Sequence, residues 1–235
     1  MIDAGPARVL KRATRTLLFD LDGTLTDPRP GIVRCIEHSL KTLRLPAPPE
    51  QELAQWIGPP LHESFAEFLG KGREELVPLA VAHYRERFAT IGIFENAVYP
   101  GVVECLQALT AGQFRLFLAT SKPLPFAERI LRHFQLSEFF AAIYGSEFSG
   151  ERSNKAELIA HILTTESLSA SSAIMIGDRK HDMLGARANG VRGFGALWGY
   201  GSRDELVKAG ASELLTSLVD LPAALQRADD LDGRP

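Results

Sequence analysis

The chain has 235 residues and a formal net charge of -3, with 45% hydrophobic and 23% charged residues. These values are typical of a globular protein that buries a sizeable core in one large domain, or in a domain with an insertion. The weak negative charge leaves no electrostatic footprint for a nucleic acid polymer, and no apolar run approaches the roughly 18 residues of a membrane span.

The N-terminal segment carries several basic residues, but no long apolar run and cleavage site follow it, so it does not resemble a signal peptide. The two cysteines, Cys35 and Cys105, lie far apart in helix-like segments and lack metal-ligand spacing. They predict free thiols in a reducing compartment. We therefore expect a cytoplasmic protein with no membrane partner.

Short apolar runs alternate with helix-like segments along most of the chain. Strands that alternate with helices predict βαβ units and a parallel sheet covered on both faces, which is an α/β fold. The predicted strands are Thr16–Phe19, Phe114–Ala119, Ala141–Tyr144, Ala173–Ile176 and Val191–Leu197.

Residues 30–94 break this alternation, because they contain no convincing strand. Apolar residues at helical spacing predict helices there, including Leu61–Leu69 and Glu74–Phe88, and proline-rich turns separate them. We predict that this helical module is inserted after the first strand. The predicted division of the chain is an N-terminal extension at 1–14, a core at 15–29 and 95–227, a helical module at 30–94 and a flexible tail at 228–235.

Carboxylates and hydroxyls follow the predicted strands at the points where they end. Ligands bind at the carboxyl ends of the strands in a parallel α/β sheet, so we expect these side chains to gather in one site. Ionised carboxylates repel one another, and Mg²⁺ resolves that conflict by taking carboxylates, water and substrate phosphate as ligands. The side chains concerned are Asp20, Asp22, Thr120, Ser121, Asp178 and Asp182.

The spacing of Asp20 and Asp22 has a physical reason. Residues two apart along a strand share a direction, so both carboxylates can face one ligand, and Gly23 then permits a sharp turn. The same four letters, DLDG, recur at Asp230–Gly233 near the end of the sequence. No predicted strand precedes that second copy, so we interpret it as a coincidence.

Lys155 gives an independent indication of a site. Asn154 has the character of a helix N-cap, with Glu157 at the capping-box position, which puts Lys155 in the first helical turn. A cation there opposes the helix dipole. The need to neutralise a phosphate group would explain this unfavourable placement.

Simpler structural roles remain open for each of these residues taken alone. Asp178 could be a helix N-cap, with Asp182 favourably placed in the first turn. Thr120 and Ser121 could begin the following helix, and Lys155 could be a solvated surface lysine. The conjunction of all these features at strand ends and helix starts favours a functional site.

The chain resembles the phosphatase branch of the haloacid dehalogenase superfamily from Thr16 to about Leu225. The matching motifs are Phe19–Leu25, Ala119–Pro123, Lys155 and Gly177–Asp182. The helical module resembles the cap domain of that family in its helical form. The resemblance implies a Rossmann-like parallel-sheet core with an inserted all-helical cap, and a Mg²⁺-dependent phosphatase that hydrolyses small-molecule phosphate monoesters.

The resemblance also implies a role for each matching residue. Asp20 is the expected nucleophile that forms an aspartyl-phosphate, Asp22 the general acid, and Lys155 a third catalytic group. The residues expected to bind phosphate are Gly23, Thr120, Ser121 and Lys155. Those expected to hold Mg²⁺ are Asp20, Asp22 through its backbone carbonyl, Asp178 and Asp182.

Further segments look like phosphoglycolate phosphatases and a related bacterial group of 5'-nucleotidases. They are Gly23–Asp27, Ile57–Leu61, Tyr99–Gly101 and Leu197–Gly201. We expect a phosphoglycolate phosphatase-like activity, with a 5'-nucleotidase as the alternative. A sugar phosphomutase and a non-catalytic phosphate-binding module are further alternatives.

One departure from the pattern of phosphoglycolate phosphatases leaves the identity of the substrate open. The segment Glu151–Lys155 lacks the lysine–proline pair that is frequent in phosphoglycolate phosphatases. The loop Gly58–Leu61 is expected to enter the site from the cap. His62 and Arg85 are candidate substrate contacts or plain surface residues, and we expect a monomer or a homodimer.

Overall fold

The computed structural model describes residues 15–231 and has a six-stranded parallel sheet at its centre. The strands lie in the order β5-β4-β1-β6-β7-β8, and β2 and β3 form a separate antiparallel ribbon. In chain order they are β1 (Thr16–Phe19), β2 (Thr26–Asp27), β3 (Ala97–Val98), β4 (Arg115–Pro123), β5 (Ala142–Ser146), β6 (Ala173–Gly177), β7 (Arg192–Ala196) and β8 (Glu213–Leu215).

Ten α-helices accompany the strands in the described residues. They are α1 (Arg29–Thr42), α2 (Glu50–Leu53), α3 (Leu61–Leu69), α4 (Val77–Thr90), α5 (Val102–Ala111), α6 (Leu124–His133), α7 (Lys155–Thr165), α8 (Lys180–Ala188), α9 (Arg203–Ala209) and α10 (Leu221–Leu231).

The central strand β1 is buried along its whole length, which explains its unbroken apolar sequence. Its side chains alternate between the two faces of the sheet. Leu17 and Phe19 belong to the larger core cluster, which includes residues of α5, α6 and α10, whereas Leu18 packs with residues of α7 and α8. Helices on both faces confirm the predicted α/β fold class.

Residues 30–94 contain helices and turns without a strand, which confirms the all-helical cap. The ribbon of β2 and β3 joins this cap to the core. The backbone N–H of Gly31 donates to the carbonyl of Glu95 at 3.0 Å, so the first turn of α1 is bonded to the segment that leads back to the core. Within residues 15–231, no helix combines the length and the apolar character that crossing a bilayer requires.

Several predicted boundaries need correction. β4 continues to Pro123, and α4 begins at Val77 after a short 3₁₀ turn. The predicted flexible tail at 228–235 overlaps the last residues of α10, which continues to Leu231. The extension at 1–14 and residues 232–235 lie outside the described residues. Cys35 in α1 and Cys105 in α5 are buried free thiols, as predicted.

Candidate active site

Asp20 lies at the carboxyl end of β1, between the ends of β4 and β6. Its backbone N–H donates to the carbonyl of Ile176 at 2.9 Å, so strand pairing fixes where the chain leaves the sheet. Asp178 and Asp182 follow β6, and one carboxylate oxygen from each of the three aspartates lies within 4.8 Å of the others. The Asp22 side chain is not part of this group, and its predicted metal contact through the backbone carbonyl stays a prediction.

Lys155 is the buried cation of the site. It is the first residue of α7, and the side chain of its N-cap, Asn154, accepts backbone N–H groups of the first turn. The Lys155 Nζ lies 2.9 Å from Asp20 Oδ1 and 2.8 Å from Asp182 Oδ1, and it donates to the carbonyl of Ala119 at 2.8 Å. Only 5% of Lys155 is exposed, so the alternative of a solvated surface lysine is wrong.

Asp178 is fully buried and accepts hydrogen bonds from two other segments. The backbone N–H of Tyr200 donates to its Oδ2 at 2.8 Å, and the Thr24 hydroxyl donates to its Oδ1 at 3.4 Å. The N-cap of α8 is Arg179, so the alternative that Asp178 caps this helix is wrong. Asp182 does lie in the first turn, where its Oδ2 accepts the Arg179 N–H at 3.1 Å.

Two glycines make room for Asp178. Gly23 has a φ of +84°, and a Cβ at this position would lie 2.2 Å from Asp178 Oδ2. A Cβ at Gly199 would lie 2.4 Å from the same oxygen. The Gly23 N–H donates to the carbonyl of Thr26 at 2.8 Å within the turn, and the phosphate contact of Gly23 stays a prediction.

Negative charge is in excess among these buried groups, because the Lys155 ammonium contacts Asp20 and Asp182, while Asp178 accepts its hydrogen bonds from a backbone N–H and a hydroxyl. Burial, helped by the charges of Asp182 and Asp20, raises the pKa of Asp178 well above its ordinary value. Burial also raises the pKa of Asp182 to about 6, although Lys155 opposes the shift. Burial lowers the pKa of Lys155, but the two aspartates outweigh it and leave that pKa raised.

This excess of negative charge and the all-oxygen donor set fit a hard divalent cation. A cation held by Asp20, Asp178 and Asp182 would offset both the burial and the mutual repulsion that raise these pKa values. Mg²⁺ prefers a site with a few carboxylates that leaves room for water and for an oxygen of the substrate. The structure therefore supports the acidic cluster as a candidate Mg²⁺ site.

Lys122 pairs with Asp22 on the side of the site that faces the cap. Its Nζ lies 2.7 Å from Asp22 Oδ2 and 4.5 Å from the centre of the Phe88 ring in α4. Burial raises the pKa of Asp22, and Lys122 opposes the shift. The buried Asp22 Oδ1 has no hydrogen-bond partner among the described residues, which leaves it available to a substrate atom.

Thr120 and Ser121 lie near the end of β4 and line the same cavity as Asp20 and Asp22. Thr120 is almost fully buried, and the Ser121 carbonyl accepts a hydrogen bond from Ser146 Oγ at 2.8 Å. Helix α6 begins only at Leu124, so the alternative that Thr120 or Ser121 starts this helix is wrong. Their phosphate contacts stay predictions.

A cavity of about 140 Å³ opens between the cap and the two aspartates Asp20 and Asp22. The loop Gly58–Leu61 lines it, in agreement with the prediction, and so do His62 and Arg85. One part of its wall is aromatic and continues from the cap into the core through the stacked pair Tyr84–Phe88 and the edge contact of Phe88 with Phe126. The cavity therefore offers apolar surface next to carboxylates and cations.

Tyr200 joins the site to the linker of the cap. Its backbone N–H bonds Asp178, while its hydroxyl donates to Asp27 Oδ1 in β2, directly before the cap begins. The Arg29 guanidinium lies 5.3 Å from the centre of the Tyr200 ring. Sequence reasoning singled out neither Lys122 nor Tyr200. The available signal was that both lie within motif segments, at strand ends next to the predicted site.

A parallel sheet with aspartates at its carboxyl edge, a buried lysine and a helical cap over them defines a capped α/β enzyme. Within that class, residues 17–196 match the haloacid dehalogenase-like hydrolase family. The chain belongs to this family, and the resemblance inferred from its motifs is confirmed.

Three curated relatives differ in what their names describe. The chain is 50% identical over 190 residues to the 5'-nucleotidase of Pseudomonas aeruginosa, covering 81% of this chain and 86% of that protein. It is 38% identical over 193 residues to the tyrosine-protein kinase PtkA of Mycobacterium tuberculosis, covering 82% of this chain and 65% of that protein. It is 30% identical over 213 residues to the phosphoglycolate phosphatase of Caulobacter vibrioides, covering 89% of this chain and 90% of that protein.

Among solved structures, the fold is similar to that of a predicted phosphatase from Clostridium acetobutylicum. The TM-score is 0.87 at 38% identity, and the match covers 91% of this chain and 99% of that one. The similarity therefore extends over both the core and the cap.

Proposed function

We propose that this protein is a Mg²⁺-dependent phosphatase that hydrolyses small-molecule phosphate monoesters through an aspartyl-phosphate on Asp20. The observation that carries the proposal is the arrangement of Asp20, which contacts Lys155, lies beside Asp178 and Asp182, and lines the cavity under the cap. Membership of a hydrolase family and relatives named as phosphatases support the phosphatase class.

In the first step, an Asp20 carboxylate oxygen attacks phosphorus while the bond to the leaving oxygen breaks. Asp22 gives its proton to that oxygen, so the leaving group departs as a neutral alcohol. In the second step, Asp22 takes a proton from water, the hydroxide attacks phosphorus, and the Asp20–phosphorus bond breaks to release inorganic phosphate. Asp22 regains its proton, and Asp20 its carboxylate.

Phosphoryl transfer depends mainly on positioning and on charge stabilisation. Lys155 holds Asp20 in place through the contact at 2.9 Å, and its charge opposes the negative charge that gathers on the phosphoryl oxygens. Mg²⁺, when bound by Asp20, Asp178 and Asp182, supplies the remaining positive charge. The unpartnered Asp22 Oδ1 provides the atom that meets the leaving oxygen.

Two substrate classes suit different parts of the cavity. A nucleoside monophosphate would place its base against the aromatic wall of Trp56, Tyr84 and Phe88, and the 5'-nucleotidase relative supports this class. Phosphoglycolate would need a cation for its carboxylate, which Arg85 or Lys122 could supply. The apolar wall and the 50% identity to the 5'-nucleotidase relative favour nucleoside monophosphates. The phosphoglycolate phosphatase relative supports phosphoglycolate instead.

The first experiment measures phosphate release from phosphoglycolate, nucleoside monophosphates and sugar phosphates, with Mg²⁺ and with EDTA. We expect release that depends on Mg²⁺ and falls by at least about 10³-fold in Asp20→Asn. Glu104→Gln, which removes an exposed carboxylate on α5, is the control and should keep full activity. Transfer of phosphate between sugar positions without release would instead indicate a mutase, and no turnover at all a non-catalytic module.

A second experiment separates the two substrate classes at Arg85. Replacing the guanidinium in Arg85→Met should raise the KM for phosphoglycolate by about tenfold or more, because a charge-assisted hydrogen bond to its carboxylate is lost. The KM for a nucleoside monophosphate should change much less. Equal effects on both substrates would contradict a carboxylate contact at Arg85.

A further inference from the structure

Arg179 lies between the catalytic loop and the cap, and the reaction described above gives it no role. It directly follows Asp178, and it is not among the residues that line the catalytic cavity. Its guanidinium Nη1 donates to the backbone carbonyl of Ile57 in the cap, 122 positions away in the chain. A single side chain thus spans from the loop of the acidic cluster to the loop of the cap.

The cap loop is shaped to receive this arginine. Gly58 has a φ of +106°, and a Cβ there would lie 3.0 Å from Arg179 Cγ and 3.2 Å from its Nη1. The loop backbone therefore rests directly on the arginine side chain. Pro59 and Pro60 follow and stiffen the loop, because each ring fixes φ. A bond at the Ile57 carbonyl consequently sets the position of the whole loop over the cavity.

Glu205 in α9 holds the core side of the arginine. Arg179 Nε lies 2.9 Å from Glu205 Oε1, and the same oxygen accepts the backbone N–H of Lys180 at 2.8 Å. Glu205 is itself held in place, since its N–H donates to the side chain of Ser202 at the start of α9. The guanidinium thus has one partner fixed in the core and another that belongs to the cap.

We infer that Arg179 is a latch that holds the cap closed over the catalytic aspartates, with Glu205 as its anchor. The contact with Glu205 lies within the core and persists when the cap moves. The contact with the Ile57 carbonyl crosses from core to cap and breaks when the cap opens. Closing a cap over a site excludes water and completes the catalytic arrangement, so Arg179 acts as a positioning residue.

A distance measurement on the unliganded protein tests the latch without any substrate. Both native cysteines are buried, so spin labels can be attached at Glu67→Cys in α3 and Ala160→Cys in α7, which are exposed positions. A second cavity, of about 450 Å³, is bordered by the first turns of these two helices, so opening of the cap lengthens the distance between the labels.

Arg179→Met is the test variant, because it removes the guanidinium and keeps an apolar side chain. Arg187→Met is the matched control, since Arg187 is exposed near the other end of α8 and its loss changes the charge equally. We expect longer label distances in Arg179→Met and unchanged distances in Arg187→Met. Unchanged distances in Arg179→Met, or an equal change in both variants, would overturn the latch.

Arg179→Lys keeps the proposal testable if Arg179→Met does not fold. The lysine keeps a positive charge beside Glu205, but its ammonium lacks the planar fork that bonds two separate acceptors. We therefore expect it to lengthen the label distance as well. Native-like distances in a folded Arg179→Lys would show that the bond to the Ile57 carbonyl does not hold the cap.

Kinetics give a second readout, and this part alone rests on the proposed function. A smaller closed fraction lowers apparent affinity, so KM should rise by about tenfold in Arg179→Met while kcat stays nearly constant. A fall in kcat at unchanged KM would overturn the assignment, because the residue would then act in the chemical step. If even the native protein releases no phosphate, the proposed function fails, and the label distances still decide the latch.

Discussion

At the scale of single residues, the site depends on backbone segments that pass unusually close to carboxylates. Asp178 has no solvent exposure, and both Gly23 and Gly199 approach its side chain more closely than any Cβ would permit. This crowding holds the carboxylate in one position, where it accepts the Tyr200 N–H. A rigid ligand is suited to a cation such as Mg²⁺, which demands near-ideal geometry.

The crowding at Gly23 can be tested by substitution. Gly23→Ala should lower the free energy of unfolding by about 1–3 kcal/mol beyond the backbone strain alone, because its Cβ collides with Asp178. It should also abolish the stabilisation by Mg²⁺. Gly72→Ala is the matched control, since Gly72 has a similar φ of +87° and nothing within 4 Å of the added Cβ. Equal losses of unfolding free energy in Gly23→Ala and Gly72→Ala, measured by thermal or urea unfolding, would contradict the crowding.

The pairing of Lys122 with Asp22 predicts a pH effect. Lys122 counteracts the raised pKa of Asp22, so Lys122→Met should raise that pKa further. Activity falls as pH rises through the pKa of a general acid, because only the protonated form can donate. The alkaline limb of the kcat profile should therefore move to higher pH in Lys122→Met. A limb that stays in place or moves to lower pH would contradict the role of Asp22 as the acid.

The sequence predicted which residues form the site more readily than it predicted which of them contact one another. The positions of Asp20, Asp178 and Lys155 at strand ends and helix starts were sufficient to predict one shared site. The partner of Asp22 was not predictable, because it depends on how the chain bends where the register of β4 against β5 shifts, between Ala119 and Pro123. That bend follows from three-dimensional packing and has no marker in the local sequence.

At the scale of elements, the ribbon of β2 and β3 is both the connection to the cap and a neighbour of the site. Tyr200 bonds Asp27 in β2 through its hydroxyl and Asp178 through its N–H. Burial raises the pKa of Tyr200, so the phenol stays protonated and donates. The linker of the cap is thereby held to the loop that positions the acidic cluster.

Tyr200→Phe tests this connection, because it removes the phenol and keeps the backbone N–H. We expect a loss of about 1.5–3 kcal/mol in the free energy of unfolding, as for a hydrogen bond to a charged group, together with a raised KM. Tyr144→Phe removes a comparable bond, to Glu166 at 2.7 Å, in β5. It should lose stability with an unchanged KM, and a raised KM in both variants would contradict a specific role of the linker.

The strands that sequence reasoning missed are short. β8 has three residues, and the strands of the ribbon have two each, so none presents enough positions to show a period of two. Pairing with a neighbouring strand defines them, and such pairing is not visible in a local window. The unbroken apolar runs that begin at Thr16 and Ala173 correctly predicted β1 and β6 to within one residue, because burial on both faces leaves a strong local signal.

At the scale of the whole molecule, the acidic cluster lowers the stability of the folded protein in the pH range in which its carboxyl groups ionise. Asp182 has a pKa of about 6 in the folded protein, against 3.8 as the ordinary value, and the pKa of Asp178 is raised well above that value. The unfolded chain therefore binds fewer protons than the folded one in this range. The metal-free protein should lose stability as pH rises from about 4 through about 6.

Mg²⁺ should reverse this loss. Protons compete with the cation for the carboxylates, so the rise in Tm on adding Mg²⁺ should be larger at about pH 7.5 than at about pH 5. At a concentration 100 times its Kd, the cation would add about 2.7 kcal/mol. Asp178→Asn should remove most of this rise in differential scanning fluorimetry. A rise that is independent of pH, or that survives in Asp178→Asn, would contradict binding at this cluster.

The strand order of the sheet also has a consequence for folding during synthesis on the ribosome. β1, which carries Asp20, lies between β4 and β6, and these begin only at Arg115 and Ala173. Domains fold as units during synthesis, and non-local strand pairing is slow. The first strand therefore stays apolar and unpaired until β4 has emerged, and its second edge stays unpaired until β6 has emerged. The nascent chain can have no activity in that interval, and its need for protection from aggregation is then greatest.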